Sequence, residues 1–147
     1  MRLRVLAPFL LLGNLIGANA QDGLPPTTQE VTTSNEPAKL VATADRNIIN
    51  ADGYDLAFVS LKITDRDGTL SPRANNQIEF DISGPGEIVA TDNGDPTNMV
   101  SFASTTREAF NGLCLVIVRA LKGGAGEITL TARSNGLREA TVSIPCK

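Results

Sequence analysis

Oxygen donors gather at two places in this chain. Asp92, Asn93, Asp95 and Asn98 fall within one short stretch, and Asp65 and Asp67 flank a second turn. Carboxylate and amide oxygens in such runs are what a calcium ion would need. Calcium takes roughly six to eight of them, however, and neither run has the spacing of an EF-hand. Asp and Asn are also the residues that close turns on their own backbone. Both runs are therefore read as turn chemistry, with no metal ligand assigned.

Other chemistry is harder still to place. With 0 histidines, the chain lacks the usual general base and the commonest metal ligand. No serine sits in a Gly-x-Ser-x-Gly turn, and no glycine-rich loop opens a helix. The acidic residues mostly alternate outward along strands, where water solvates them. No catalytic residue and no cofactor is expected. Tyr54, after the Asp52-Gly53 turn, reads as exposed, but with 0 Trp and 1 Tyr the aromatic platforms that stack on sugar rings are scarce. The support for carbohydrate binding from the sequence is thin.

The elements that would position any site read as strands. Ala57, Val59, Leu61 and Ile63 alternate with Phe58, Ser60, Lys62 and Thr64, and Ile78, Phe80 and Ile82 alternate with Gln77, Glu79 and Asp81. The same period of two recurs in Ile128, Leu130 and Ala132, and again in Ala140, Val142 and Ile144. Such alternation puts one face on a core and the other in water, as in antiparallel sheets. Residues 39–45 begin the domain, and the nearly continuous apolar run Leu113 to Val118 predicts a strand in the middle of a sheet. Turn signals separate the runs: Asp52-Gly53, Asp67-Gly68, Gly84-Pro85-Gly86, Asn93-Gly94, Asn111-Gly112, Gly123-Gly124 and Asn135-Gly136. No segment has a helical apolar period. An all-β, immunoglobulin-like sandwich of about seven antiparallel strands follows.

Ahead of the sandwich, residues 1–20 read as a secretory signal. Arg2 and Arg4 precede an apolar core from Val5 to Leu12, and Ala18-Asn19-Ala20 supplies the small-x-small pattern for cleavage between Ala20 and Gln21. The apolar run is shorter than the ~20 residues that span a bilayer, so no membrane span is expected after cleavage. Cleavage would remove two of the 13 basic residues and none of the 16 acidic ones, moving the net charge from −3 to −5. A mildly acidic chain without a basic cluster has no electrostatic footprint for nucleic acid. The expected location is periplasmic or secreted. Residues 21–36, with Pro25-Pro26 and a threonine-rich stretch, read as an extended leader or linker, and 37–147 as the domain.

Within that domain an ordered series of motifs carries a resemblance. Pro37-Ala38-Lys39-Leu40, Thr43-Ala44-Asp45-Arg46, Ala51-Asp52-Gly53, Thr64-Asp65-Arg66-Asp67-Gly68, Ser83-Gly84-Pro85-Gly86, Asn93-Gly94-Asp95-Pro96-Thr97 and Ala109-Phe110-Asn111-Gly112-Leu113 occur in turn. The series resembles the C-terminal immunoglobulin-like domain, the fifth, of bacterial family 2 glycoside hydrolases of the β-galactosidase type. The resemblance implies a noncatalytic module that packs against another protein domain of a glycoside hydrolase. That family cleaves glycosides with two carboxylates set across the scissile bond on a barrel. Neither the barrel nor its Glu-bearing motifs occur here, so no catalytic residue carries over. The resemblance also makes residues 28–36 look like the last strand of a preceding domain; a plain polar linker stands as the other reading. Two further functions stay open, a freestanding secreted or surface adhesion or spacer domain, and a fragment of a β-galactosidase gene.

Cys114 and Cys146 leave a last question. Export to an oxidising compartment favours a disulfide, worth roughly 3 to 4 kcal/mol on the chain-entropy model. If strands alternate in direction, Cys114 begins the fifth and Cys146 ends the seventh, at opposite ends of the sandwich. Cα atoms more than ~7 Å apart are not bridged, and a small cysteine inside an apolar run is commonly just buried.

Overall fold

A computed structural model describes residues 33–147. The signal-peptide reading, the Ala20/Gln21 cleavage site and most of the 21–36 leader lie outside the described residues. Within them the chain forms eight strands and no helix: β1 (Lys39–Ala44), β2 (Leu56–Thr64), β3 (Gln77–Ser83), β4 (Gly86–Asp92), β5 (Thr106–Glu108), β6 (Leu113–Ala120), β7 (Gly126–Arg133) and β8 (Ala140–Cys146). They make two four-stranded sheets, ordered β1-β2-β6-β4 and β5-β3-β7-β8. Every strand-to-strand pairing is antiparallel.

The period-two runs are the two inner faces. Ala57, Val59, Leu61 and Ile63 of β2 are all buried, and the register sets Ala57, Val59 and Leu61 beside Val118, Val116 and Cys114 of β6. From the other sheet, Ile78 and Phe80 of β3, Ile128 and Leu130 of β7, and Ile144 of β8 close the core. Burying each Val, Leu, Ile or Phe among these stabilises the fold by about 1.5–3 kcal/mol. β6 lies between β2 and β4, as its apolar run predicted. Its outward residues Leu115 and Ile117 are half-buried rather than exposed, so the outer face of that sheet is partly apolar.

The strand count differs from the expected seven because β4 and β5 carry little alternation. In β4 the pairing with β6 slips between Ile88 and Ala90, a bulge that leaves Val89 without a register partner and breaks the period of two. β5 is three residues long, Thr-Arg-Glu, with no apolar side chain. The passage from β3 to β4 changes sheet within the Gly84-Pro85 link. Gly84 has φ +88, and a Cβ there would run into the Glu127 carbonyl oxygen, so this corner requires glycine on two counts.

The edge strand β8 is covered at both ends. Leu40 N–H donates to Arg138 O and Arg138 N–H to Ala38 O, both at 2.9 Å; Ile49 N–H donates to Pro145 O at 3.0 Å. These bonds stitch the start of β1 and the β1–β2 connection along an edge otherwise open to pairing. Among the described residues no helix is long and apolar enough to cross a membrane.

Candidate functional site

One end of the sandwich gathers polar side chains from several connections. Three connections meet there: β2–β3, β4–β5 and β5–β6. They enclose a cleft of about 290 Å³, lined by Arg73, Asn75, Asp95, Glu108, Phe110 and Asn111 among others. Ala74 and Ala109 form its apolar floor.

The wall supplied by the β4–β5 connection is held from behind by a buried cation. Arg107, on β5, is only 1% exposed, and no carboxylate pairs with it among the described residues. Its Nη2 donates to Thr91 O and Ser101 O, both at 2.7 Å, and its Nη1 to Val100 O at 2.9 Å and Asn98 Oδ1 at 3.2 Å. Nε donates to Thr91 Oγ1 at 3.2 Å, and the guanidinium carbon lies 5.9 Å from the Phe102 ring centroid. A planar fork with five donors can reach carbonyls on three sides at once, which a lysine cannot. Asn93 adds a second clamp, its Nδ2 donating to Glu108 O at 2.9 Å.

The same bonds decide what the oxygen-rich loop does. Asn93 Oδ1 accepts from Asp95 N–H, Asp92 Oδ1 from Asn93 N–H, and Asn98 Oδ1 from Val100 N–H as well as from Arg107. Asp95 Oδ1 accepts from both the amide and the hydroxyl of Thr97, and these bonds hold its carboxyl below the ordinary carboxylate value. Oxygens already engaged by amides, with a guanidinium among them, form a folded turn rather than a cation cage. The second acidic turn behaves alike. Asp65, 1% exposed, accepts from the amides of Asn35, Asp67 and Thr69 at 2.9, 3.0 and 2.9 Å. The Asn35 amide is the largest influence keeping that carboxyl ionised below its ordinary range. Among the described residues no three His, Cys, Asp or Glu side chains stand close enough to share a metal ion.

The two thiols are buried and unpaired. Cys114 donates to Asp92 O at 3.3 Å, and Cys146 to Gly124 O at 3.0 Å. Cys114 lies at the start of β6, while the Gly124–Gly126 turn that receives Cys146 follows the far end of that strand. About 20 Å of strand separates the two ends, at roughly 3.3 Å per residue. Burial pushes the Cys114 thiol up to about 12. Tyr54 is 83% exposed, at the end opposite the cleft, beside Leu121 and Lys122.

Periodicity pointed to none of Arg73, Glu108 or Arg107 as special. A charged residue in a polar run reads as solvated, and only the three-dimensional turn back of the β4–β5 connection buries Arg107. Of the exposed apolar positions, Met99 is 92% exposed and Phe102 63%, both on that connection, while Val89 is half-buried.

Comparison with known proteins gives this geometry its relatives. The model of glycoside hydrolase family 2 C-terminal domain 5 matches residues 40–143. The β-galactosidase BoGH2A of Bacteroides ovatus is 42% identical over 116 residues, which are 79% of this chain and 14% of that protein. A β-glucuronidase of Formosa agariphila is 30% identical over 120 residues, 80% of this chain and 12% of its own length. Among solved structures, a family 2 glycosyl hydrolase from Bacteroides cellulosilyticus superposes with a TM-score of 0.76 at 31% identity, covering 78% of this chain and 15% of that one. The chain thus spans about one seventh of the length of the curated relatives it matches.

Proposed function

The chain belongs to the glycoside hydrolase family 2 C-terminal domain 5 family, and on that premise we propose that it is an exported, noncatalytic accessory module that packs against a further domain of a family 2 glycoside hydrolase. The observation that carries this reading is the pairing of two extents. The family match runs through nearly the whole sandwich, yet the matched region is only 14% of BoGH2A. A module of that share in its relatives works beside other domains, and the chemistry on this one is consistent with that place. Its acidic loops are consumed by their own backbone amides, and it has 0 histidines to serve as a base.

The surface that suits such packing is the outer face of the β1-β2-β6-β4 sheet. Phe58 and Leu113 are 38% and 42% exposed there, next to the half-buried Leu115 and Ile117. Register puts Phe58 directly across from Ile117, so the apolar side chains adjoin. Lys62 on the same strand as Phe58 rims the patch. Apolar centres with charged rims are how transient domain interfaces are built. Export follows from the signal pattern of residues 1–20.

Cross-linking through lysine, in the cells that make the protein, tests both parts. The expected product joins Lys62 to a single family 2 hydrolase, and the recovered chain begins at Gln21. Cross-links that leave Lys62 untouched while engaging Lys147, which follows β8 of the opposite sheet, contradict the docking face, and a chain retained in the cytoplasm with Met1 in place contradicts export.

A further inference from the structure

We propose that the cleft between the β2–β3, β4–β5 and β5–β6 connections binds a single ring of a neutral saccharide. The accessory-module reading enters only in the choice of galactose as the first probe. At about 290 Å³ the cleft is near the lower bound of small-molecule sites, sized for one ring rather than an extended chain.

Its lining mixes donors and acceptors on exposed side chains that water now solvates. Arg73 and Glu108 line the same cleft, yet among the described residues neither forms an ion pair. The side chains of Asn75 and Asn111 likewise take no hydrogen-bond partner among the described residues, and Asp95 has its Oδ2 to spare. A guanidinium offers donors only, a carboxylate acceptors only, and an asparagine amide both. Adjacent ring hydroxyls donate and accept at the same time, so a mixed set of this kind matches them and matches no purely anionic or purely cationic ligand. Phe110, 39% exposed, adds an apolar surface for the C–H side of a ring.

Charge narrows the class. Two carboxylates, Asp95 and Glu108, stand with two guanidiniums, Arg73 in the lining and Arg107 behind the wall. With the charges balanced, the cleft gives a uronate or a phosphate no net attraction over a neutral ring. A bare cation is disfavoured by the Asn93 and Asn98 oxygens, which are already engaged, and by Arg107 behind them.

The cleft is also preorganised. Arg107 ties the β4–β5 wall to Thr91, and Asn93 ties it to the backbone of Glu108. A site whose wall is fixed by buried hydrogen bonds loses less entropy on binding than one built on a free loop.

The test is a titration of the 15N-labelled chain, followed by amide shifts, with galactose, glucose, mannose, N-acetylglucosamine and glucuronate as separate probes. At least one neutral sugar is expected to give saturable shifts confined to residues 73–76, 93–98 and 108–111, with glucuronate binding no more tightly. Asn75→Ala and Glu108→Gln should each weaken that sugar by about fivefold to tenfold, while Tyr54→Ala, at the opposite end, leaves it unchanged. No saturable shift with any probe overturns the proposal. So do shifts that ignore Asn75→Ala and Glu108→Gln, or tighter binding of glucuronate than of every neutral sugar. Failure here is separate from failure of the module reading: absent shifts in a chain without turnover sink only the cleft, whereas turnover accompanied by the expected shifts sinks only the noncatalytic assignment.

Discussion

Replacing Arg107 by methionine should cost this fold about 3 kcal/mol, because it strands acceptors rather than a partner charge. Methionine fills much of the space of the arginine stem, so little of the loss is cavity. What remains is the carbonyl of Thr91, a residue 0% exposed, together with the carbonyls of Val100 and Ser101. Thr91 Oγ1 keeps a partner by donating to Ser104 O at 2.8 Å, and water can reach Val100 and Ser101, whose residues are exposed. Each buried acceptor left unmade costs about 1–3 kcal/mol, and bonds from a charged donor are at the upper end. One deep acceptor and two partly rescued ones sum to about 3 kcal/mol, or roughly 10 °C in Tm for a domain of this size. Lysine should recover little, since its three donors sit on one nitrogen and the five donors of arginine reach in three directions. Urea unfolding followed by far-ultraviolet circular dichroism is the suitable assay, as the chain has 0 Trp. Hydrogen exchange of amides 93–105 should accelerate in the same variant. No carboxylate partner means the loss should not shrink in high salt. A loss under about 1 kcal/mol, or full recovery by Arg107→Lys, would refute the reasoning.

Three further outcomes follow from other parts of the sandwich. Asp52, Asp65 and Asp95 are all held below their ordinary value of 3.8 by backbone amides, with Tyr54, Asn35 and Thr97 the leading donors. A depressed native value contributes stability above the unfolded value and loses it as pH falls through the native one; the urea midpoint should be flat above about pH 5, drop below about pH 4, and drop less steeply in Asp65→Asn. Gly84→Ala combines positive φ with a collision against Glu127 O and should cost more than about 3 kcal/mol, whereas Gly136→Ala, at φ +76 with nothing within 4 Å, should cost about 1 kcal/mol by thermal unfolding. The Cys114 thiol, raised to about 12 by burial, should resist a thiol-reactive dye at pH 8 until denaturant is added, when both cysteines titrate as free thiols.

The legible part of this molecule is the part governed by a period of two. β2 and β7 bury the residues their alternation nominates, and β3 and β8 turn theirs to the same core with Ile82, Ala140 and Val142 half-buried, because a pleated strand sends successive side chains to opposite faces. β4 was obscured by its bulge at Val89, and β5 by having no apolar residue at all. The Asp-Gly and Asn-Gly turns were readable as turns from residue type alone. What they enclose was not, since a cleft formed by Arg73, Asp95 and Glu108 joins three connections distant in sequence. Arg107 was the least legible residue of all. Its burial depends on a loop folding back over β4, and nothing in Thr-Arg-Glu signals it. The cysteines were expected at the start of the fifth strand and the end of the seventh; with both β4 and β5 present they stand at the start of β6 and the end of β8.

The central claim, that this family 2 sandwich is a module without chemistry of its own, is tested most directly by turnover. The purified chain beginning at Gln21 is incubated with nitrophenyl β-galactoside and nitrophenyl β-glucuronide, and nitrophenolate release is followed. The account predicts release no faster than from a heat-inactivated sample of the same protein. Saturable release that survives repurification and is lost on heating would contradict it.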